Sequence, residues 1–160
     1  MTRTLILPGL HDSDPGHWQS RWEARDDTLL RVIQDDWETP HCADWIAKLD
    51  QALALTGPDT VLVAHSAGCA LVAHWAVGEF SLLRLQFRTI VVASSNDPYV
   101  TLSRARAFAM AWGSEFMMIG EAGHINSASG LGDWPEGLEL LNTLRKAQNN
   151  SEATKATVLA

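Results

Sequence analysis

Thr60-Val61-Leu62-Val63-Ala64-His65-Ser66-Ala67-Gly68-Cys69-Ala70-Leu71-Val72 is the stretch on which the fold of this chain turns. Its first half is a short, continuous apolar run rich in β-branched residues, the pattern of a strand buried on both faces of a parallel sheet. Its second half is an apolar helical run over Ala67–Val77. Only His65 and Ser66 separate the two, so the chain must turn sharply from strand to helix at the serine. A serine there takes a strained backbone conformation, costing on the order of 1–3 kcal/mol. Its hydroxyl then projects above the sheet, with a helix N-terminus and its unpaired N–H groups behind it. Small residues two before and two after the serine let strand and helix pass closely. Here they are Ala64 and Gly68, the alanine standing where glycine is the smaller choice. A plain serine N-cap is the competing reading of these five residues taken alone.

Working outward, four more apolar runs of strand length appear at Thr4–Pro8, Thr28–Ile33, Thr89–Ser94 and Glu115–Gly120. Helical patterns lie between them. Asp14-Pro15 reads as an N-cap followed by a first-turn proline, with Trp18 and Trp22 four residues apart on one face. Thr39-Pro40 opens another, carrying Trp45, Ile46, Leu49 and Leu53. Leu102–Trp112 forms a fourth, and Asp133-Trp134-Pro135 starts a fifth with Leu138, Leu141 and Leu144 inward. Strand and helix alternate five times, which predicts a three-layer α/β domain over residues 1–147 with right-handed crossovers. The polar tail, 148–160, is expected to be disordered.

A serine hydroxyl becomes a useful nucleophile only beside a general base, and the base needs an acid to hold its tautomer. In a sheet of this kind the chain order is Ser, acid, His. After Ser66 there are two histidines. His74 lies two turns into the helix that follows the serine and cannot turn back. His124, in the loop Gly120-Glu121-Ala122-Gly123-His124-Ile125-Asn126, falls at the carboxyl edge of the sheet. Asp97, just past the fourth strand and stiffened by Pro98, is the preferred acid over Glu79, Glu115 and Glu121. The N–H of Ala67 and that of Leu10, with His11 as the alternative second donor, are the candidate oxyanion hole. His11, Trp18 and Tyr99 are candidate substrate contacts, with Trp37 and Trp134 weaker ones. Trp22, Trp45 and Trp75 are expected in the core. A metal at His11, Asp12 and Asp14 is disfavoured, since a helix-capping role accounts for Asp14.

The bulk composition constrains partners. The formal net charge of −7 disfavours nucleic acid and anionic membrane. The chain shows neither an apolar run of membrane-spanning length nor a signal-peptide pattern at its N-terminus. Cys42 and Cys69 lack metal-ligand spacing, and both read as reduced thiols in the cytoplasm.

Leu7-Pro8-Gly9, Pro15-Gly16-His17-Trp18-Gln19-Ser20-Arg21-Trp22-Glu23, Ala64-His65-Ser66-Ala67-Gly68, Asn96-Asp97-Pro98-Tyr99 and Gly123-His124-Ile125-Asn126 together resemble the small serine-hydrolase family of retinoblastoma-binding protein 9 and the YdeN-like proteins. The His-Trp-Gln segment is the most specific part, and the resemblance extends to about Leu144. It implies a minimal α/β-hydrolase fold of five to six mostly parallel strands without a lid domain, and a triad of Ser66, Asp97 and His124. It also implies a carboxylesterase-like activity on small acyl esters, amides or thioesters, through an acyl-enzyme and with no cofactor or metal. The expected partners are the acyl substrate and water, in a monomer or small homo-oligomer. A non-catalytic binding module or another acyl-transfer activity are the rival readings.

Overall fold

The computed structural model describes residues 2–77 and 83–149, and the backbone of 156–159. The chain runs β1 (Thr4–Leu7), α1 (Trp18–Glu23), β2 (Leu29–Arg31), α2 (Cys42–Thr56), β3 (Val61–Ala64), α3 (Ala67–Val77), β4 (Arg88–Ala93), α4 (Leu102–Trp112), β5 (Glu115–Met118), α5 (Pro135–Asn149) and β6 (Ala156–Leu159). All strand pairs are parallel, in the order β2-β1-β3-β6-β4-β5.

Strand alternation sorts the core into two halves. Leu5, Leu7, Leu62, Ala64 and Val91 pack with Trp45 and Leu49 of α2, Leu71 and Val72 of α3, and Ala109 and Trp112 of α4. On the other face, Ile6, Val61, Val63, Ile90 and Val92 pack with Trp18 and Trp22 of α1 and with Leu141 and Leu144 of α5. This division follows from handedness. Connections that step one way along the sheet must place their helix on one face, and those that step back must use the other. The links β2→β3, β3→β4 and β4→β5 step together and use α2, α3 and α4. The links β1→β2 and β5→β6 step the opposite way and use α1 and α5.

Two sequence expectations change here. The sequence predicts a disordered tail from residue 148, yet Gln148 and Asn149 belong to α5 and 156–159 form β6 between β3 and β4. Residues 150–155 and 160 lie outside the description. The Ala-Thr-Val-Leu run is only four residues long beside a polar stretch, so its periodicity is faint. It is recruited because β3 and β4 would otherwise face each other with unpaired edges. The first and second helices also start later than their Asp-Pro and Thr-Pro pairs. His17 caps α1, its side chain accepting from the Gln19 N–H, and His41 precedes α2. Asp14 accepts instead from the Gly16 N–H and from the Ser127 hydroxyl.

Crossovers diverge on either side of β1, so the crevice expected of a doubly wound sheet opens beyond the carboxyl ends of β1 and β3. The strand-to-helix turn at Ser66 lies there. A Cβ added at Gly68 would come within 2.2 Å of the Leu7 carbonyl oxygen and 2.9 Å of that of Pro8. Both obstacles are backbone, so they yield only if β1 moves. Gly68→Ala is therefore expected to destabilise the protein by about 3 kcal/mol, lowering Tm by roughly 6–12 °C in thermal denaturation. Ala64, by contrast, is fully buried with its methyl in the core cluster, so alanine fits where the motif would have glycine.

Candidate active site

Ser66 has φ +53, a left-handed conformation rarely adopted by a residue with a Cβ. Gly9 packs against it so closely that a Cβ at position 9 would lie 2.7 Å from the Ser66 Cβ. The serine Oγ is 2.9 Å from His124 Nε2, and His124 Nδ1 is 2.9 Å from Asp97 Oδ2. With Nδ1 donating to the carboxylate, Nε2 is left as the acceptor for the serine proton. Burial alone would raise the Asp97 pKa. Hydrogen bonds from His124 and from the N–H groups of Tyr99 and Val100 outweigh it and hold the carboxyl below its usual range. Of the other carboxylates weighed from sequence, Glu115 pairs with Arg88 and Glu121 is exposed, while Glu79 lies outside the described residues.

The candidate donors differ in their backbone pairing. The His11 N–H is committed to the Trp37 carbonyl at 3.1 Å. Among the described residues neither the Ala67 nor the Leu10 N–H is paired with another backbone carbonyl outside regular helices and strands. Leu10 lines the crevice at Ser66, and Ala67 directly follows the serine at the start of α3.

Trp18 is corrected from a substrate contact to a core residue. It is 1% exposed, packs on Trp22 and Trp134, and donates its indole N–H to the Ile125 carbonyl at 2.7 Å. The reason is geometric: Trp18 and Trp22 share one face of α1, and that face is turned to the sheet. Trp134 is likewise buried, and Trp37 packs edge-on against Trp45 rather than forming a free wall. Trp22 and Trp45 are buried as expected, and Trp75 packs against the same cluster as Trp45. Tyr99 is exposed, with its ring 4.6 Å from that of His124, and His11 pairs with Glu38 at the crevice rim. Asp12 pairs with Arg31 and Asp14 with Ser127, so these two carboxylates and His11 engage three separate partners.

Sequence reasoning left several positioning residues unnamed. His65 donates its Nε2–H to the His124 carbonyl at 2.8 Å, so the peptide units of His124 and Ile125 are anchored by His65 and Trp18 respectively. Ser94 accepts from the Ala122 N–H and donates to Asn96, whose Oδ1 also accepts from the Gly123 N–H. The loops bearing Asp97 and His124 are thereby joined. Gln19 reaches between the ends of β1 and β3, donating to the carbonyls of Val63 (3.2 Å) and Leu7 (3.4 Å) and accepting from Ser13. Trp18 and Gln19 thus tie the His124 loop and the ends of β1 and β3 to α1. The signal that flags them is the His17-Trp18-Gln19 run itself, the most specific part of the family resemblance.

His17 and His65 are both buried and their rings meet at 4.7 Å. Burial, reinforced for each by a neighbouring histidine, pushes their pKa values down to about 3 and about 4 respectively. In the unfolded chain the same groups take up protons near 6.5. Between those values the unfolded state binds more protons, so stability falls as pH drops from about 6.5 towards 4. The slope should approach roughly 1.4 kcal/mol per pH unit for each histidine. Chemical denaturation between pH 7.5 and 4.5 checks this, and a His17→Gln variant should show a shallower decline.

The chain belongs to the serine-hydrolase family, whose model matches residues 4–84 and 77–143 in two overlapping stretches. Among solved structures it is similar to a YdeN-like hydrolase from Pectobacterium atrosepticum, with a TM-score of 0.87 and 29% identity over 92% of each chain. It is also similar to the ydeN gene product of B. subtilis, with a TM-score of 0.71 and 18% identity, covering 89% of this chain and 98% of that one. An α/β hydrolase from the metagenome of lagoon sediments at Mar Chica, Morocco, shares the fold at a TM-score of 0.69 and 13% identity over 92% of each chain. No curated protein matches the sequence. No helix among the described residues is long and apolar enough to cross a membrane.

Proposed function

We propose that this serine hydrolase cleaves acyl esters through an acyl-enzyme formed on Ser66. The observation that carries the reading is the continuous chain from Asp97 Oδ2 through His124 to Ser66 Oγ, with both links at 2.9 Å. Ser66 attacks the ester carbonyl while His124 Nε2 takes the hydroxyl proton. Asp97 holds the ring and stabilises its charged form. The Ala67 and Leu10 N–H groups receive the developing oxyanion, each such donor supplying on the order of 10²–10³ in rate. His124 then protonates the departing alcohol. Water, deprotonated by the same nitrogen, attacks the acyl-enzyme and releases the acid and the free serine. Substrate and water are the only partners this cycle requires, and the exposed Cys42 thiol fits a reducing, cytoplasmic setting. The test is covalent labelling by a fluorophosphonate probe. Wild-type protein should be labelled and Ser66→Ala should not; a well-folded wild type that resists labelling would favour a binding module instead.

A further inference from the structure

Ser66 stands between two cavities that differ in their lining. One, of ≈ 210 Å³, runs from Ser66 and His124 inward between α3 and α4. Its walls are apolar, with Ala70, Val91, Val100, Phe108, Trp112 and Ile125 among them. Phe108 and Trp112 stack at 5.2 Å and nearly parallel, forming one broad aromatic side. The other cavity, of ≈ 550 Å³, lies beyond Leu10 and Tyr99 and has a mixed lining that includes His11, Asp12, Asp14, Asn126 and Ser127. Leu10 and Tyr99 are themselves exposed, so this lobe is continuous with solvent.

The two half-reactions assign the lobes. After the first, the acyl group stays bound to Ser66, while the leaving alcohol must depart and water must enter beside His124 Nε2. The apolar lobe suits the group that stays bound, whereas the lobe carrying His11, Asp12 and Asn126 can solvate both the departing hydroxyl and the incoming water. We infer that the apolar cavity between α3 and α4 is an acyl pocket for aliphatic or arylalkyl carboxylic acids, and that the mixed lobe takes the alcohol. This rests on the hydrolase reading above and names its substrate class.

Size follows from volume. A cavity of about 150 Å³ lined by apolar side chains holds benzene. By the same measure, ≈ 210 Å³ accommodates roughly eight carbons. Each methylene moved from water into such a wall strengthens binding by about fourfold.

The experiment is a series of p-nitrophenyl esters from acetate to dodecanoate, with the alcohol held constant. kcat/KM should climb by up to about fourfold per methylene, peak near six to eight carbons, and fall at least tenfold by dodecanoate. Phe108→Ala, shown to be folded by its melting transition, should move the peak to longer chains. Ala70→Leu, which fills the pocket from the α3 side, should move it to shorter ones. A flat profile, a steady decline from acetate, or a peak unmoved in both variants would overturn the acyl-pocket assignment. Those outcomes are distinct from failure of the hydrolase reading itself, in which no ester is turned over and Ser66 is not labelled by the fluorophosphonate.

Discussion

Ser66→Ala is expected to lower turnover by on the order of 10⁶-fold, the cost of removing one member of a triad that works as a unit. In the proposed reaction the serine oxygen forms the bond to the acyl group, and no other hydroxyl is hydrogen-bonded to His124 among the described residues. What would remain is the contribution of the oxyanion donors and of substrate binding, a residual 10³–10⁴ over the reaction in water. The fold should be unaffected. Alanine keeps the Cβ that Gly9 packs against and accepts the same φ of +53 at similar cost. Steady-state kinetics on purified variant with an unchanged melting temperature would show this. More than a few per cent of wild-type kcat would mean that another group attacks the substrate.

The second large effect concerns the opposite end of the chain. Truncation after Lys155 removes β6, which pairs with Val61–Ala64 on one side and Arg88–Val91 on the other. Neighbouring strands lie about 4.8 Å apart, so β6 holds β3 and β4 at roughly twice that separation. β3 leads into Ser66, and β4 leads into Asp97. If the sheet closes over the gap, the serine shifts by about a strand spacing relative to the acid, far beyond the tolerance of a hydrogen bond. If it does not close, two parallel edges are left with buried, unpaired peptide groups, at about 1–3 kcal/mol apiece. Several such groups rival the 5–15 kcal/mol that stabilises a whole domain. Residues 1–155 should therefore lack both a cooperative melting transition and the proposed ester hydrolysis, as measured by circular dichroism and ester turnover. A cooperatively folded, active truncation would show that β3 and β4 pair without β6.

These two expectations draw on different kinds of legibility. The first could be framed from sequence, because strand, turn and helix around Ser66 are local and each announces itself. Apolar β-branched residues end at Ala64, Gly68 permits the approach of β1, and a helix-forming run follows. Loop positions 97 and 124 were also legible, because a parallel sheet brings the residues after its strands to one edge. The second could not. A four-residue strand inside a polar tail has too short a period to stand out, and only the vacant place between β3 and β4 makes it a strand. Trp18 was misplaced for a related reason: its spacing from Trp22 shows that the two share a face but does not say which way the face points.

The strand-to-helix turn at Ser66, the five leading β/α pairs and the order serine, acid, histidine were determined by the sequence itself, because each depends on residues close together in the chain or on the direction of parallel strands. Tertiary structure decided the rest. It committed the His11 N–H to the Trp37 carbonyl, and it turned Trp18 and His65 into anchors for the His124 loop. It also opened an apolar cavity between α3 and α4. Each of these is a contact between segments far apart in the chain, set by how the layers pack, and no local pattern encodes it.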